Sequence, residues 1–305
     1  MLLVVFGAGA SFDSAPLLRP GTLPEQETWR PPLANDLFGD RPGFREEFAS
    51  FPQVLPLATR LGQASPSHPL ERLMTGLRDE ADEYPERYSQ LAAVRYYLQK
   101  IIWECERYWL EQHRAATSID SYIQHPHFPI IKLHGSIDWG YRVDTPLSIV
   151  AESSDHVWQI AAEVIKRFAD LQISTEIEKT VQRPPQPQNG NAYVPALAIP
   201  LDQKTDFACP PSHLEFLQER LPSVSHLLAI GWRGTEAHFC EMLRRGLPSG
   251  VAVTAVSGTL AASEETLLNL RTAGIGSAWE AIGDGFADLV VSLDLGTFLD
   301  QAIRD

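Results

Sequence analysis

The sequence predicts an α/β fold in which helices cover both faces of a parallel sheet. Its last third alternates short apolar runs with helical patterns, which is typical of strand–helix units in such sheets. At the start of the chain, the apolar run Leu2–Phe6 is rich in strand-forming residues and ends at a glycine, which indicates a buried central strand. In the last third, the patterns predict strands over 196–200, 226–230, 251–256 and 288–292, and helices over 212–221, 236–245, 261–272 and 295–303.

The middle of the chain is predicted to be mainly helical. The strongest signal spans 85–113, where apolar residues recur every three or four positions and predict a helix with a core-facing stripe. A cofactor box built from the aromatic residues of this stretch is the alternative interpretation. A helix is also predicted to open at 33–38 and another to cover 157–171, whereas the apolar run 130–133 predicts a strand that ends at His134.

The strand ends that carry special residues span Gly7 to Gly258, and we expect them to meet in one pocket. A chain of 305 residues would otherwise allow about two domains. We therefore expect a single domain over 1–305, with helical insertions at about 33–113 and 155–180.

Composition excludes several classes of function. The chain has 25 basic and 39 acidic residues and a net charge of -14, so it repels a phosphate backbone and an anionic membrane surface. Its three cysteines (Cys105, Cys209 and Cys240) are widely spaced and predict neither a disulfide framework nor a zinc site, which indicates a reducing compartment. The first apolar run is too short for a signal peptide or a membrane span, so we expect a cytoplasmic protein.

Glycines and small residues follow the first predicted strand, in the run Gly7-Ala8-Gly9-Ala10-Ser11. Glycines permit a tight turn and let backbone N–H groups approach a phosphate closely. An acidic chain with few cations to spare favours phosphate binding through such N–H dipoles. A tight turn without a ligand is the alternative interpretation.

The predicted strand 130–133 leads into His134, which is followed by a glycine. A histidine at an exposed strand end is suited to acid–base or polarising work near neutral pH. A structural histidine is the alternative. Elsewhere, His125 and His127 flank a proline without companion ligands, so no metal site is predicted.

Two further strand ends carry glycine and hydroxyl residues. One is the run from Gly231 to Gly234, and the other is Ser257-Gly258-Thr259. Glycine at these places lets an adenosine or its ribose lie against the backbone, and the hydroxyls of Ser257 and Thr259 can bind it. Ordinary turn chemistry explains the same residues equally well.

Taken in order, four motifs resemble those of the bacterial sirtuin-like proteins: a strand into GAGAS, a strand into KLHGSIDW, a strand into IGWRG and a strand into VSG. The stretches RPPLANDLF, RYYLQKIIWECERYWLE and FACPPSHLE are similar to that group as well. The resemblance covers most of the chain and implies a Rossmann-like fold that binds NAD, with an added helical layer. It implies that Gly7, Ala8, Gly9 and Ser11 contact the pyrophosphate, that Gly231, Ser257 and Gly258 contact the adenosine side, and that His134 lies by the nicotinamide ribose.

The resemblance also implies an activity. Many bacterial members of this group are NAD hydrolases of anti-phage defence, often paired with a motor ATPase or an Argonaute-like protein. We therefore expect cleavage of the nicotinamide–ribose bond, with His134 polarising or deprotonating a ribose hydroxyl, and a homo-oligomer. The deacylase branch usually carries a four-cysteine zinc module, which three cysteines cannot form, so no zinc is expected and deacylation is the weaker hypothesis.

The sequence departs from the family at one point. Such enzymes usually place an asparagine on a strand shortly before the histidine strand, and this chain has no asparagine between Asp36 and Gln188. Two hypotheses follow. The protein is a catalytically impaired NAD- or ADP-ribose-binding or scaffold subunit, or Asp120, Asp138 or Asn35 substitutes by position.

Overall fold

The computed structural model describes residues 1–14, 29–65, 69–109, 118–124, 128–147, 156–180, 191–201 and 207–291. The strands are β1 (Leu2–Phe6), β2 (Gly135–Val143), β3 (Ile173–Lys179), β4 (Tyr193–Leu197), β5 (His226–Ile230), β6 (Ala252–Val256) and β7 (Ala278–Ile282). The α-helices are α1 (Ala8–Ser14), α2 (Pro42–Ala49), α3 (Ala58–Leu61), α4 (Leu70–Asp79), α5 (Glu86–Trp109), α6 (His156–Lys166), α7 (Pro211–Arg220), α8 (Ala237–Gly246), α9 (Leu260–Thr272) and α10 (Gly285–Val291).

Four strands form an all-parallel sheet in the order β1-β5-β6-β7. The expectation that Leu2–Phe6 is a buried central strand is wrong, because among the described strands β1 lies at one edge of the sheet and is only partly buried. Its residues are apolar because they alternate between the apolar clusters on the two faces of the sheet.

The four strands are in register, because Phe6 pairs with Ile230, Ile230 with Val256, and Val256 with Ile282. The last residues of the four strands therefore lie side by side. The turns that follow them meet at one edge of the sheet, where parallel sheets generally bind ligands.

Helices cover both faces of this sheet, as the sequence predicts. Successive strand residues point to opposite faces, so Leu227 and Ala229 join one apolar cluster while Leu228 and Ile230 join another. The first cluster is completed by helices α7, α8 and α9, and the second by Ala10 of α1 and Leu289 of α10. The α/β class with a Rossmann-like parallel sheet is confirmed.

Most of the described residues from 29 to 201 form an inserted lobe with its own sheet and core. Strand β2 pairs antiparallel with β3 on one side and β4 on the other. Helix α5 packs on this sheet, and two of its side chains reach the strands: the Tyr96 hydroxyl donates to the Tyr193 carbonyl (2.6 Å) and the Gln99 amide to the Ile137 carbonyl (2.6 Å). The added helical layer is thus built around a small antiparallel sheet. The organisation of residues 1–305 as a single domain stays a prediction.

The predicted strand 130–133 is wrong. This segment is irregular and turns at Leu133 and His134, and the strand begins only at Gly135. Gly135 has φ +84°, and a Cβ there would lie 1.8 Å from the Ala196 carbonyl oxygen, so the chain can turn there and pair closely with β4. The apolar pattern has another cause, because Ile131 and Leu133 pack on the core cluster beneath the parallel sheet.

The predicted strand 288–292 is also wrong, since α10 occupies 285–291 and the last strand is β7. Three of the five residues of β7 are exposed, so this edge strand carries little apolar signal. Strand β3 is a second edge strand, and it lies where 155–180 is predicted to be helical. The helix predicted at 33–38 is only a 3-10 turn at Ala34–Asp36.

The other predicted elements agree to within a few residues wherever the structure describes them. The helix predicted over 295–303 lies outside the described residues. Within the described ranges, no helix combines the length and the apolar character needed to cross a membrane.

Candidate functional site

Three glycines hold the turn after β1 against the turn after β5, and we call this contact the glycine junction (Gly7, Gly9 and Gly231). A Cβ on Gly7 would lie 2.3 Å from the Gly231 carbonyl oxygen, and one on Gly9 would lie 2.9 Å from the Gly231 Cα. Gly231 has φ +60°, and its Cβ would lie 2.2 Å from the Ala10 nitrogen. The two backbones touch, so side chains are excluded at all three positions.

The glycine junction uses N–H groups that the sequence assigned to a pyrophosphate. The Gly7 N–H donates to the Ile230 carbonyl (2.9 Å), and the Gly9 N–H donates to the Gly231 carbonyl (3.2 Å). Ala8 and Ser11 are exposed on the same turn and on the start of α1. Any anion at this edge would therefore contact the outer residues of the turn rather than the glycine N–H groups.

The turn after β6 adjoins the glycine junction through the parallel register. The Ser257 N–H donates to the Ile282 carbonyl (3.1 Å), which ties this turn to β7. Gly258 is exposed, with no atom within 4 Å of an added Cβ, so this part of the edge is open. The Thr259 hydroxyl caps α9 by accepting from the Ala262 N–H (3.3 Å), which is the local reason for a hydroxyl there.

His134 contacts a carboxylate that the sequence reasoning missed. Its Nε2 lies 2.9 Å from Oε1 of Glu236, and the Trp232 indole N–H donates to Oε2 of the same carboxylate at 2.6 Å. A carboxylate only accepts, so we assign the ring proton to Nε2, which leaves Nδ1 as an acceptor. Among the described residues, the buried Nδ1 has no hydrogen-bond partner. The side chain as a whole is 40% exposed, so the ring lies at the surface of the site.

Glu236 links His134 to the third predicted motif. It follows β5 by six residues and precedes α8, in the same turn region as Gly231 and Trp232. The structure thus joins Gly7, Gly9 and Gly231 directly, sets Ser257 and Gly258 on the adjacent turn, and connects His134 through Glu236. The available signal for Glu236 was its place just beyond IGWRG, as a carboxylate at a helix start.

The three side chains named as substitutes for the missing asparagine all have partners within the protein. Oδ1 of Asn35 accepts from the Leu70 N–H (3.0 Å), and Oδ1 of Asp120 accepts from the Ser212 hydroxyl (3.3 Å). Asp138 lies in a denser set of contacts.

We call those contacts the Asp138 network. The Asp138 carboxylate accepts from the Ser136 hydroxyl (2.5 Å) and the Tyr122 hydroxyl (3.1 Å), and it pairs with Lys179 (3.2 Å). Lys132 donates to Ser136 at 2.7 Å. Burial alone would raise the pKa of Asp138, but the Ser136 hydrogen bond and the two lysines hold it below its ordinary value. The carboxylate is therefore ionised and saturated with donors.

The three cysteines are buried and unbridged. Burial raises the pKa of the Cys209 thiol to about 12 and that of the Cys240 thiol to about 11, so both are protonated at neutral pH. In the part of the chain that the structure describes, no three His, Cys, Asp or Glu side chains are grouped as a metal site requires. Whether the protein uses zinc stays a prediction.

We compared the chain with protein-family models, with curated proteins and with solved structures. No family model matches it, and neither of the other two comparisons gives a match.

Proposed function

We propose that this protein binds NAD at the carboxyl edge of its parallel sheet and hydrolyses the nicotinamide–ribose bond. The contact between His134 and Glu236 supports the proposal most strongly, because it joins a histidine suited to base catalysis to the turn after β5. The reaction converts NAD and water into nicotinamide, ADP-ribose and a proton.

In this proposal His134 is the general base. Glu236 fixes the Nε2 proton, so the lone pair of Nδ1 is the acceptor left on the ring. Because Nδ1 is buried, NAD binding has to turn the ring or move its neighbours before Nδ1 accepts a proton from a ribose hydroxyl or from the attacking water. The carboxylate then stabilises the imidazolium that forms. The transition state resembles an oxocarbenium ion, and nicotinamide departs as a neutral molecule without a strong general acid.

The glycine junction has a structural role beside the one that the resemblance implies. Gly7, Gly9 and Gly231 bring two turns into contact, and the exposed groups around them are left for the dinucleotide. In the proposal Ala8 and Ser11 approach the pyrophosphate, while Ser257 and Gly258 approach the adenosine side. Exposure of Ala8, Ser11 and Gly258 supports this division.

The test is nicotinamide release from NAD by the purified chain and two variants. We expect His134→Ala to lower the rate at least about a hundredfold and Glu236→Gln at least about tenfold, because a positioned base contributes that much. His226→Ala is the matched control: His226 is a partly buried histidine at the amino end of β5, and its loss is expected to leave the rate unchanged. A wild-type protein that releases no nicotinamide contradicts the proposal.

The engaged side chains of Asn35, Asp120 and Asp138 favour a second candidate function. In that case the protein is a catalytically impaired subunit that binds NAD or ADP-ribose, alone or within a defence complex with a motor ATPase or an Argonaute-like protein. Calorimetry separates the two candidates. Saturable binding of NAD and ADP-ribose without nicotinamide release supports the second one, and steady turnover excludes it. Release of the acyl group from an acylated peptide with NAD would instead reveal a deacylase.

A further inference from the structure

A cleft in the inserted lobe contains an arginine that the proposed NAD site does not use. The cleft encloses about 140 Å³ between helices α4 and α5, the turn at Phe168 and the segment after β4. Its walls include Arg78, Leu91, Arg95, Phe168, Ile199 and Leu201. The cleft is thus apolar on several sides and carries two guanidinium groups.

Arg95 is the unusual member of this wall. It is partly buried, and it has no hydrogen bond or ion pair with any residue that the structure describes. Nearby arginines are paired: Arg60 and Arg87 with Glu80, and Arg78 with Asp79. Desolvation lowers the pKa of Arg95 from its ordinary value, although the group stays charged near neutral pH.

A guanidinium in such surroundings costs folding free energy unless an anion compensates it. Tyr141 interacts electrostatically with Arg95 but cannot supply that charge, because burial raises the pKa of its hydroxyl and keeps it neutral. A chain with a net charge of -14 has many carboxylates, yet the described residues place none against Arg95. A bound ligand is one source of the compensating anion.

We propose that this cleft binds a small organic anion, whose carboxylate or phosphate head pairs with Arg95 and whose apolar body packs against Leu91, Phe168 and Leu201. The planar guanidinium presents paired donors that match either head group. The apolar walls favour an anion with an apolar body, because a fully hydrated inorganic ion would lose water without gaining contacts there. The cleft lies in the core cluster of the inserted lobe and shares no residue with the carboxyl edge of the parallel sheet.

The binding test uses four probes on the full chain, followed by calorimetry and by the midpoint of thermal unfolding. Benzoate and phenyl phosphate carry the two head groups on one apolar ring, benzamide is the neutral counterpart, and inorganic phosphate lacks the ring. We expect at least one ringed anion to bind and to raise the midpoint, and both benzamide and inorganic phosphate to bind at least tenfold more weakly. The stronger of benzoate and phenyl phosphate identifies the head group. Absence of binding by both ringed anions overturns the proposal.

The variants assign the binding to Arg95. Arg95→Gln is expected to weaken binding of the ringed anion at least tenfold. The affinity of Arg95→Lys is expected to lie between those of Arg95→Gln and the wild type, because lysine keeps the charge but lacks the paired donors of the guanidinium. Arg72→Gln on α4 is the matched control, since Arg72 is exposed, and it is expected to bind as the wild type does. Unchanged binding by Arg95→Gln overturns the proposal.

The stability of the unliganded variant separates a ligand site from a structural role. If Arg95 serves to bind an anion, Arg95→Gln without a probe unfolds at the same temperature as the wild type or at a higher one. A lower midpoint shows that Arg95 serves the fold of the lobe and overturns the proposal. Saturating NAD is expected to leave the benzoate titration unchanged, so failure of the NAD proposal and failure of this one are distinguishable.

Discussion

The carboxyl edge of the parallel sheet and the Asp138 network both contain residues of the four sequence motifs, but the two regions are built differently. At the edge, backbone meets backbone at the glycine junction, and neighbouring groups such as Ser11 and Gly258 stay exposed. In the Asp138 network, polar side chains satisfy one another, and Ser136 is buried. The difference teaches that a dense polar cluster is not by itself a site, because saturated groups have nothing left to offer a ligand.

His134 combines features of both regions. It is two residues from both Lys132 and Ser136, yet its own contact is with Glu236 beside the sheet edge. One of its nitrogens is held and the other has no partner among the described residues. The fully buried His213 shows the same pattern, so His134 is distinguished by its 40% exposed side chain beside the sheet edge rather than by the unpartnered nitrogen.

The largest expected effect comes from breaking the glycine junction. Gly231→Ala places a Cβ within 2.2 Å of the Ala10 nitrogen at φ +60°, so both steric overlap and backbone strain oppose folding. We expect the free energy of unfolding to fall by at least about 3 kcal/mol in urea titrations. A variant as stable as the wild type would show that the two turns are not in contact.

A smaller effect is expected from opening the Asp138 network. Asp138→Asn removes the charge that pairs with Lys179 and leaves the donors of Ser136 and Lys132 poorly compensated. We expect a loss of about 2 kcal/mol in the free energy of unfolding, since the network is partly buried. Asp79→Asn is the matched control because its pair with Arg78 is exposed, and it is expected to change stability by less than about 0.5 kcal/mol.

The same network predicts a dependence of stability on pH. The pKa of Asp138 is lower in the folded protein than its ordinary value of 3.8, so the unfolded chain binds this proton more readily. The contribution is fully present above that value and is lost as the pH falls through the folded pKa. We expect urea titrations from pH 5 to pH 3 to show a steeper loss for the wild type than for Asp138→Asn. Parallel curves would contradict the assignment.

The smallest effect is expected at the open part of the edge. The added Cβ of Gly258→Ala meets no atom within 4 Å, and Gly258 is not among the glycines with a positive φ. We expect the free energy of unfolding to change by less than about 0.5 kcal/mol. If NAD binds there, the same variant weakens NAD binding in calorimetry while the fold is unaffected. A large loss of stability would show that this turn is packed rather than open.

Much of the fold could be predicted because its signals are local. The buried strands β5 and β6 and the partly buried strand β1 are continuous apolar runs, and helix α5 has a clear apolar stripe. The edge strands β3 and β7 were missed because charged residues interrupt their apolar residues, so neither forms a continuous apolar run. The segment 130–133 was misassigned because Ile131 and Leu133 are apolar for packing rather than for sheet pairing.

The candidate site likewise has a part that could be predicted from the sequence and a part that could not. Gly7, Gly231 and Ser257 could be expected to meet, because each follows a strand and parallel strands end at one edge. Glu236 could not be found from its spacing, since it lies 102 residues from His134. The pairing of the two depends on how the inserted lobe meets the turn after β5.

By itself, the sequence determined the α/β class and the ends of the parallel strands β1, β5 and β6, because periodicity and turn residues act over a few positions. Only the tertiary structure decided which of the motif residues use their hydrogen-bonding groups within the fold. The N–H groups of Gly7 and Gly9 serve the glycine junction and Asp138 serves its network, whereas His134 keeps one nitrogen without a partner among the described residues. The physical reason is that a hydrogen bond or a close backbone contact depends on distance in space, which residues far apart in the chain acquire only on folding.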